Sequence, residues 1–211
     1  EVDMGQNGAM ARTASQVISW GYNTTYAGHA SPTVPAAVTL TSCTPTSTAW
    51  GIYVNGSSVY QSAYIGCSQG GARSWGVNAD GQLGNGNRTN QTTPVSVSGL
   101  PAGVAVSQVD GGSRGGFARL SDGRVYSWGS NYYRQLGVSA NYATGTTYYN
   151  TAQEATRVSL PVGQTLSSIS SNEYTGGAVT SSGLVYSWGN AAWGLLGRGT
   201  KGPSSTVTGA A

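Results

Sequence analysis

The chain has 211 residues and a net charge of +3, and only 8% of its residues are charged, against about a quarter in an average soluble domain. Its basic residues are scattered, which argues against nucleic acid as a partner, and no apolar run approaches the roughly 18 residues of a membrane span. Thirteen tyrosines and six tryptophans argue against disorder, while the neutral, hydroxyl-rich remainder is typical of secreted and cell-surface proteins and predicts an extracellular location.

Tryptophan followed by glycine recurs in one frame at intervals of roughly 55 residues, a period that is the signature of repeat architectures such as propellers. The recurring tryptophans are Trp20, Trp75, Trp128 and Trp188. Four repeat units are therefore predicted in a single domain, with the approximate bounds 1–50, 51–105, 106–165 and 166–211. Because the chain starts at Glu1, already inside the first unit, we expect this domain to be excised from a longer chain.

Short alternations of apolar and polar residues before each Trp-Gly predict antiparallel strands. In chain order the predicted strands cover 2–5, 9–13 and 17–20; 62–65 and 72–75; 106–110, 116–120 and 124–128; and 166–170, 177–180 and 184–188. The third unit is the clearest, with a break at Gly111-Gly112 and a type I′ hairpin turn at Ser121-Asp122-Gly123. Little helix is expected, and the segment 203–207 is predicted to pair with the first unit and seal a ring.

Two segments carry a family resemblance: NADGQLGNG at 78–86 and DGRVYSWG at 122–129. They resemble the regulator-of-chromosome-condensation repeat, in which a Gly-Gln-Leu-Gly-x-Gly box follows Trp-Gly, and weaker copies of the box lie at 134–137 and 194–199. The resemblance implies an all-β fold, a β-propeller built from four such repeats. Family propellers usually have seven blades, so the four units either close a ring of their own or form part of a larger one. The histidine that often follows the glycine of the inner strand is missing, and Trp50-Gly51 lies out of frame.

The two cysteines, Cys43 and Cys67, lie in an insertion that is not a feature of this family. Neither has histidine, cysteine or acidic neighbours at the spacing of a metal site. In an oxidising compartment they are expected to form one disulfide, and a pair of buried free thiols is the alternative.

Motifs that suggest catalysis occur here in the wrong structural setting. Gly-x-Ser-x-Gly appears at 66–70 and 111–115, and Gly-x-Gly-x-x-Gly at 197–202. A nucleophile elbow and a dinucleotide fingerprint both need a turn from strand into helix, whereas these segments lie in predicted hairpins and loops. The chain has one histidine, His29, and no pair of acids with a reason to converge. We expect no catalytic residue, no metal and no cofactor.

The segment 131–153 is rich in tyrosine among small polar residues, a mixture that antibody paratopes use because tyrosine offers rigid contact area and small polar groups adapt around it. Carbohydrate sites also favour aromatic platforms beside neutral hydrogen-bonding groups. The alternative is that these rings pack on neighbouring loops or on an adjoining domain. The candidate ligand-binding residues of this rim loop and of the matching loop in the fourth unit are Tyr132, Tyr133, Arg134, Tyr142, Tyr148, Tyr149 and Trp193.

The leading hypothesis for function is a non-catalytic extracellular recognition or adhesion module that binds a cell-surface glycan or a protein receptor through its rim loops. An upstream anchoring or pilin-like domain would fit this role. The alternative is a propeller that binds proteins as an inhibitor or scaffold. The family resemblance also implies guanine-nucleotide exchange on a small GTPase, but the chain is short for seven blades and lacks an acidic face for a basic partner.

Overall fold

The computed structural model describes residues 1–22, 27–30, 33–55, 58–138, 148–154, 164–197, 199 and 204–210. Within these residues, sixteen strands form four antiparallel sheets of four, and each sheet takes consecutive strands of the chain, so we call the sheets blades 1 to 4. This all-β architecture of four repeated blades is the one predicted.

The strands of blades 1 and 2 are β1 Val2–Met4, β2 Gly8–Arg12, β3 Val17–Gly21 and β4 Ala36–Ala37, then β5 Pro45–Asn55, β6 Ser58–Cys67, β7 Ala72–Gly76 and β8 Gln91–Ser96. Those of blades 3 and 4 are β9 Val106–Gly112, β10 Gly115–Leu120, β11 Val125–Ser130 and β12 Tyr148–Glu154, then β13 Leu166–Ser171, β14 Thr175–Thr180, β15 Val185–Gly189 and β16 Ser204–Ala210. A short 3-10 turn covers Ala192–Gly194.

The four repeated tryptophans occupy the same place on the third strand of each blade. Each pairs across the ladder with a small residue of the second strand, in the order Ala9, Ala63, Gly116 and Gly176. A small partner leaves room for the indole: a Cβ built on Gly116 would lie 2.5 Å from the Trp128 ring. The four tryptophans that recur in the sequence therefore occupy one repeated position of the blade.

The hydrophobic core lies between successive blades rather than in one central mass. Three clusters fill the three internal interfaces, and each contains the tryptophan of the later blade. Their large members are Met10, Trp50, Ile65 and Trp75 between blades 1 and 2; Tyr64, Leu120, Tyr126 and Trp128 between blades 2 and 3; and Phe117, Leu136, Tyr186 and Trp188 between blades 3 and 4. Stacked blades thus bury a core that no single sheet could bury alone.

The predicted unit boundary at residue 50 is wrong, because it falls inside β5. Trp50-Gly51, which seemed out of frame, belongs to the first strand of blade 2. The break predicted at Gly111-Gly112 is also wrong, since both residues lie within β9. The first strands of neighbouring blades run so close that a Cβ on Gly51 would lie 2.3 Å from the carbonyl oxygen of Gly112. Glycine is needed here for that close approach and not for a turn.

The turn after β10 is a three-residue loop rather than the predicted type I′ turn. The Leu120 N–H donates to the Arg124 carbonyl at 2.9 Å, and the Gly123 N–H donates to the Leu120 carbonyl at 3.1 Å. Of the loop residues 121–123, only Gly123 has a positive φ, at 88°. A type I′ turn needs two such residues, whereas a type I turn closed by a left-handed glycine needs one.

The final strand does not close a ring. β16 covers most of the segment that was predicted to pair with the first unit, and it pairs with β15, so it completes blade 4. Val2 of β1 and Val185 of β15 remain exposed on the outer faces of the first and last blades. The four blades therefore form an open series.

Cys43 and Cys67 are joined by the predicted disulfide. Cys67 ends β6 in blade 2, and Cys43 lies in the connection between blades 1 and 2. Both belong to the core cluster between these blades, so the disulfide reinforces that interface covalently.

Candidate binding cleft

After its Trp-Gly, each blade folds back over its own third strand in a segment that we call the box: residues 78–84 in blade 2, 131–137 in blade 3 and 191–197 in blade 4. A serine hydroxyl of the third strand holds each box by donating to a leucine carbonyl. The three distances are 2.7 Å from Ser74 to Leu83, 2.8 Å from Ser127 to Leu136 and 2.9 Å from Ser187 to Leu196. In blade 1 the Ser19 hydroxyl makes the matching bond to Ala27.

The box also receives the tryptophan of the next blade. The Trp128 indole N–H donates to the Gln82 carbonyl at 2.8 Å, and the Trp188 indole donates to Gln135 at 2.7 Å. Gly84 ends its box with a φ of 64° and lies against the same indole, where a Cβ would approach within 2.8 Å. These contacts fix each box with respect to the following blade.

The tip of the box is the residue two positions before this Gln. In blades 2 and 3 the Gln side chain accepts the amide N–H of the tip residue, at 2.7 Å from Asp80 and 2.9 Å from Tyr133. Trp193 stands at the corresponding position in blade 4. The scaffold thus places three chemically different side chains, Asp80, Tyr133 and Trp193, at one repeated position.

Each tip in blades 2 and 3 reaches the loop that follows the first strand of the next blade. Asp80 forms an ion pair with Arg114, with 3.6 Å between Oδ2 and Nη1. The Tyr133 ring packs edge-to-face on Tyr174, with 5.0 Å between ring centroids. Arg114 and Tyr174 are themselves equivalent, because the carbonyl of each accepts the N–H of the residue just after Gly129 or Gly189.

A cleft of about 310 Å³ lies where these loops meet. It is lined by Asp80, Arg114, Ser130, Tyr132, Tyr133, Gln135, Tyr148 and Glu173. Blades 2, 3 and 4 all contribute to the lining, so the cleft depends on how these three blades are placed relative to one another. Tyr132 is 64% exposed and packs edge-to-face on Tyr133, with 4.9 Å between ring centroids.

One cation and two carboxylates define the charge of the cleft. Arg114 lies 3.6 Å from Asp80 and also 3.6 Å, through Nε, from Glu173. Arg88 places its guanidinium carbon 4.2 Å from the centre of the Tyr148 ring, a cation–π contact. Desolvation and the neighbouring Glu173 raise the pKa of Tyr174, the ring on which Tyr133 packs. The cleft therefore offers aromatic surface beside both donors and acceptors.

Of the seven predicted ligand-binding residues, the structure brings Tyr132, Tyr133 and Tyr148 together in the cleft. Tyr149 packs against the core between blades 3 and 4 instead, where burial raises its pKa. This residue follows the alternative interpretation, in which the rings serve packing.

The remaining three predicted residues have other places. Arg134 does not line the cleft, and it occupies a left-handed conformation with a φ of 65°. Trp193 is 77% exposed at the tip of the fourth box and does not line the cleft. Tyr142 lies outside the described residues.

Sequence reasoning missed the charged residues of the cleft, Asp80, Arg114 and Glu173. They are far apart in the chain and belong to three blades. Asp80 could have been identified from the sequence. When the boxes are aligned on their Trp-Gly, Asp80 occupies the same position as Tyr133, which was already a candidate.

The described ranges lack two further features. These residues include no group of three or more histidine, cysteine or acidic side chains placed to hold a metal ion. The described part of the chain also contains no helix with the length and hydropathy needed to cross a membrane.

The chain is similar in sequence to known repeat proteins. Residues 69–118 and 122–171 match the regulator of chromosome condensation (RCC1) repeat, and residues 106–135 match a second description of it. Human E3 ubiquitin-protein ligase HERC2 is 33% identical over 128 residues, which are 60% of this chain and 2% of the ligase. The ultraviolet-B receptor UVR8 of Arabidopsis thaliana is 31% identical over 128 residues, which are 61% of this chain and 27% of the receptor.

Solved structures share the fold over nearly the whole chain. Human WBSCR16 superposes with a TM-score of 0.76 at 20% identity, covering 99% of this chain and 50% of that one. Yeast RCC1 (Prp20), solved with Kap60, gives a TM-score of 0.72 at 17% identity, with 99% and 48% covered. Identities this low establish the fold alone. This chain spans about half the length of these solved proteins and a smaller share of the curated relatives.

Proposed function

We propose that this chain, which matches the RCC1 repeat over residues 69–118 and 122–171 and has a propeller-type fold, is a non-catalytic recognition module of the cell exterior whose cleft binds the sugar residues of a cell-surface glycan. The observation that carries the proposal is the group of tyrosine rings of blade 3 that lies beside Arg114 of the same blade, Asp80 of blade 2 and Glu173 of blade 4.

The rings are oriented before any ligand arrives. Tyr132 packs on Tyr133 and Tyr133 packs on Tyr174, in edge-to-face contacts with centroids about 5 Å apart. Tyrosine has few rotatable bonds, so a ring already held by its neighbours loses little conformational entropy on binding. The electron-rich face of an exposed ring attracts the weakly positive C–H groups of a sugar. Tyr132 is the ring that the cleft leaves most accessible.

The charged groups suit hydroxyl-rich ligands. Carboxylates accept hydrogen bonds from sugar hydroxyls and the Arg114 guanidinium donates to sugar oxygens, and bonds to charged groups are stronger than neutral ones. The cleft volume of about 310 Å³ is at the small end of the range for ligand pockets. That size fits the end of a glycan chain better than a large apolar cofactor.

The extracellular part of the proposal is supported by the disulfide and by the composition. Disulfides persist in oxidising compartments and are rare in the cytosol. Cys43 and Cys67 are paired, and only 8% of the residues are charged.

A glycan array followed by titration tests the proposal. Tyr132→Ala should weaken binding of any captured glycan by about tenfold, because an aromatic contact of this kind is worth about 1.4 kcal/mol. Tyr22→Ala is the matched control, since Tyr22 is another highly exposed tyrosine and does not line the cleft. Equal affinities for wild type and the Tyr132 variant would exclude the cleft as the binding site.

A protein receptor or enzyme partner is the second candidate. Arg88, Arg114 and Tyr132 are of the two residue types, arginine and tyrosine, that are enriched among binding hot spots between proteins. Cell binding that survives removal of surface glycans by glycosidases but is lost after protease treatment would favour this candidate over the glycan.

A further inference from the structure

The two acidic residues of the cleft are anchored by the glutamines of the boxes. Asp80 is the tip of the second box, and its amide N–H donates to the Gln82 side chain at 2.7 Å. Glu173 follows the first strand of blade 4, and its carbonyl accepts a side-chain N–H of Gln135 at 3.2 Å. Gln135 belongs to the third box, so two successive boxes fix the backbone of the two acids. Both carboxylates therefore project from fixed backbone positions.

The Arg114 side chain lies between these two carboxylates. Its Nη1 is 3.6 Å from Oδ2 of Asp80, and its Nε is 3.6 Å from Oε1 of Glu173. The guanidinium of blade 3 is therefore flanked by an acid from each of the neighbouring blades. Both separations are those of ion pairs and exceed the length of a hydrogen bond. The two contacts thus balance charge without using a carboxylate oxygen as a hydrogen-bond acceptor.

The repeat explains why two acids share one cation. The tips of the second and third boxes reach equivalent loop positions, which carry Arg114 and Tyr174. The first tip meets its loop as an ion pair, whereas the second meets it as two uncharged rings. Glu173 stands beside Tyr174, so its ion pair reaches across to Arg114 of blade 3.

The charges of the cleft sum to no excess of positive charge. The described residues that line it include two carboxylates and one guanidinium. Their side chains are only partly exposed, at 30% for Asp80, 33% for Arg114 and 23% for Glu173, so solvent ions screen them less than they screen fully exposed charges. Arg88 lies on the Tyr148 ring and is not part of the lining, and counting it would bring the sum only to zero.

On the basis of the sugar-binding cleft proposed above, we infer that the cleft selects an uncharged terminal sugar and that Asp80 and Glu173 are the residues that exclude acidic ones. A sialic acid, a uronic acid or a sulfated sugar that paired with Arg114 would place its negative charge beside both carboxylates. Like charges at this range repel, and such unfavourable contacts are a general source of specificity. The hydroxyls of an uncharged sugar instead donate to the same carboxylates.

Matched pairs of glycans test this inference. The two members of each pair are identical except that one carries a terminal sialic acid or a sulfate, and their affinities are measured by titration. The wild type should bind the uncharged member at least tenfold more tightly. Asp80→Asn and Glu173→Gln keep the size of each side chain and remove its charge, so each should lower this ratio severalfold.

The double variant Asp80→Asn/Glu173→Gln should reverse the preference. Among the described residues of its lining, Arg114 alone would carry a charge, and acidic sugars should then bind more tightly than uncharged ones. The ratio compares two ligands of one protein preparation, so a variant that is partly unfolded does not alter it. Raising the salt concentration should narrow the preference of the wild type, because salt screens the repulsion.

Asp122→Asn is the matched control. It also removes one carboxylate that pairs with an arginine, Arg124, but Asp122 does not line the cleft. This variant should keep the ratio of the wild type. A change as large as that of the cleft variants would show that net charge, and not the placement of the acids, sets the preference, and would overturn the inference.

Two further results would overturn the inference while leaving sugar binding intact. One is wild-type protein that binds acidic and uncharged members equally or prefers the acidic ones. The other is a ratio that none of the cleft variants alters. Absence of binding to every glycan, acidic or uncharged, would instead overturn the proposed function, and this inference with it.

Discussion

The boxes of blades 2 and 3 present the same backbone with different side chains at the tip. In both, a glutamine side chain accepts the amide N–H of the tip residue, and the carbonyl of that glutamine accepts the indole N–H of the next blade. At the tips, Asp80 pairs with Arg114, whereas Tyr133 packs on Tyr174. The contact between glutamine and indole is therefore the same in both boxes, whereas the contact that each tip makes with the next blade differs in its chemistry.

Replacing the glycine that ends the box should disturb the packing of the indole that both boxes share. Of the changes considered, this one should cause the largest loss of stability. Gly84→Ala places a Cβ 2.8 Å from Trp128 at a φ of 64°, so backbone strain and steric overlap add to about 3–5 kcal/mol of lost stability. Gly197→Ala has the same φ penalty and no overlap, so it should cost only about 1 kcal/mol. Chemical denaturation at low protein concentration measures both, and equal losses would refute the packing of indole on box.

Loss of the disulfide should cause the next largest loss of stability. It closes a 24-residue separation between Cys43 and Cys67, which corresponds to about 3 kcal/mol in the chain-entropy treatment. The loss should concentrate at the interface of blades 1 and 2 and leave the boxes of blades 2 and 3 folded. Hydrogen exchange of the Cys43→Ser/Cys67→Ser variant would show it. Uniform loss of protection over all four blades would contradict this expectation.

How far the sequence predicts this fold depends on which contacts are local. The Trp-Gly frame located the third strands. Each third strand pairs with the second strand through a hairpin, so the pattern that encodes this pairing is local in the chain. The close approach of Gly51 to Gly112 joins two blades, so the glycines of β9 looked like a break. β5 was missed for a similar reason, since Trp50-Gly51 resembles the repeat motif but belongs to a first strand.

The site was predicted only in part. Tyr132, Tyr133 and Tyr148 were identifiable from composition, whereas Tyr149 has the same composition around it and packs in the core. Side-chain direction decides between these outcomes, and it follows from strand register rather than from residue type. The ion pairs of Arg114 arise where loops of three blades meet, and no local pattern encodes that meeting.

The first strands of blades 1 and 3 carry an aspartate at equivalent positions, Asp3 and Asp110. Each aspartate accepts a bond from a hydroxyl of the next blade, Thr48 or Ser171, and burial raises the pKa of both. The folded state then holds these protons more tightly than the unfolded chain, so the free energy of unfolding falls as pH rises from the ordinary carboxyl range through the raised pKa.

Asp110→Asn keeps an acceptor for Ser171 and removes this titration. The variant should be more stable than wild type at neutral pH by about 1 kcal/mol or less, and it should lose part of the pH dependence. Thermal unfolding between mildly acidic and neutral pH measures both effects. Asp122→Asn is the control with the opposite sign, because the hydrogen bonds from Arg124 lower the pKa of Asp122 and its stabilisation fades as pH falls. An Asp110 variant with the wild-type pH profile would contradict the assignment.

The smallest effect is expected at Arg134, which occupies the place that Gly81 and Gly194 hold in the other two boxes. All three have a positive φ, at 65°, 76° and 75°. Arg134→Gly should relieve the strain and raise stability by about 0.5 kcal/mol, since the greater freedom of glycine in the unfolded chain offsets part of the gain. A fall of more than 1 kcal/mol in denaturation experiments would show that the arginine side chain contributes more than its backbone costs.

The account depends on each tryptophan being held by the box of the preceding blade, and exchange of assigned indole N–H protons with deuterium tests this directly. The Trp128 and Trp188 protons, which donate to Gln82 and Gln135, should exchange far more slowly than that of the exposed Trp193. Exchange of Trp128 and Trp188 as fast as that of Trp193 would show that the blades do not pack through their boxes.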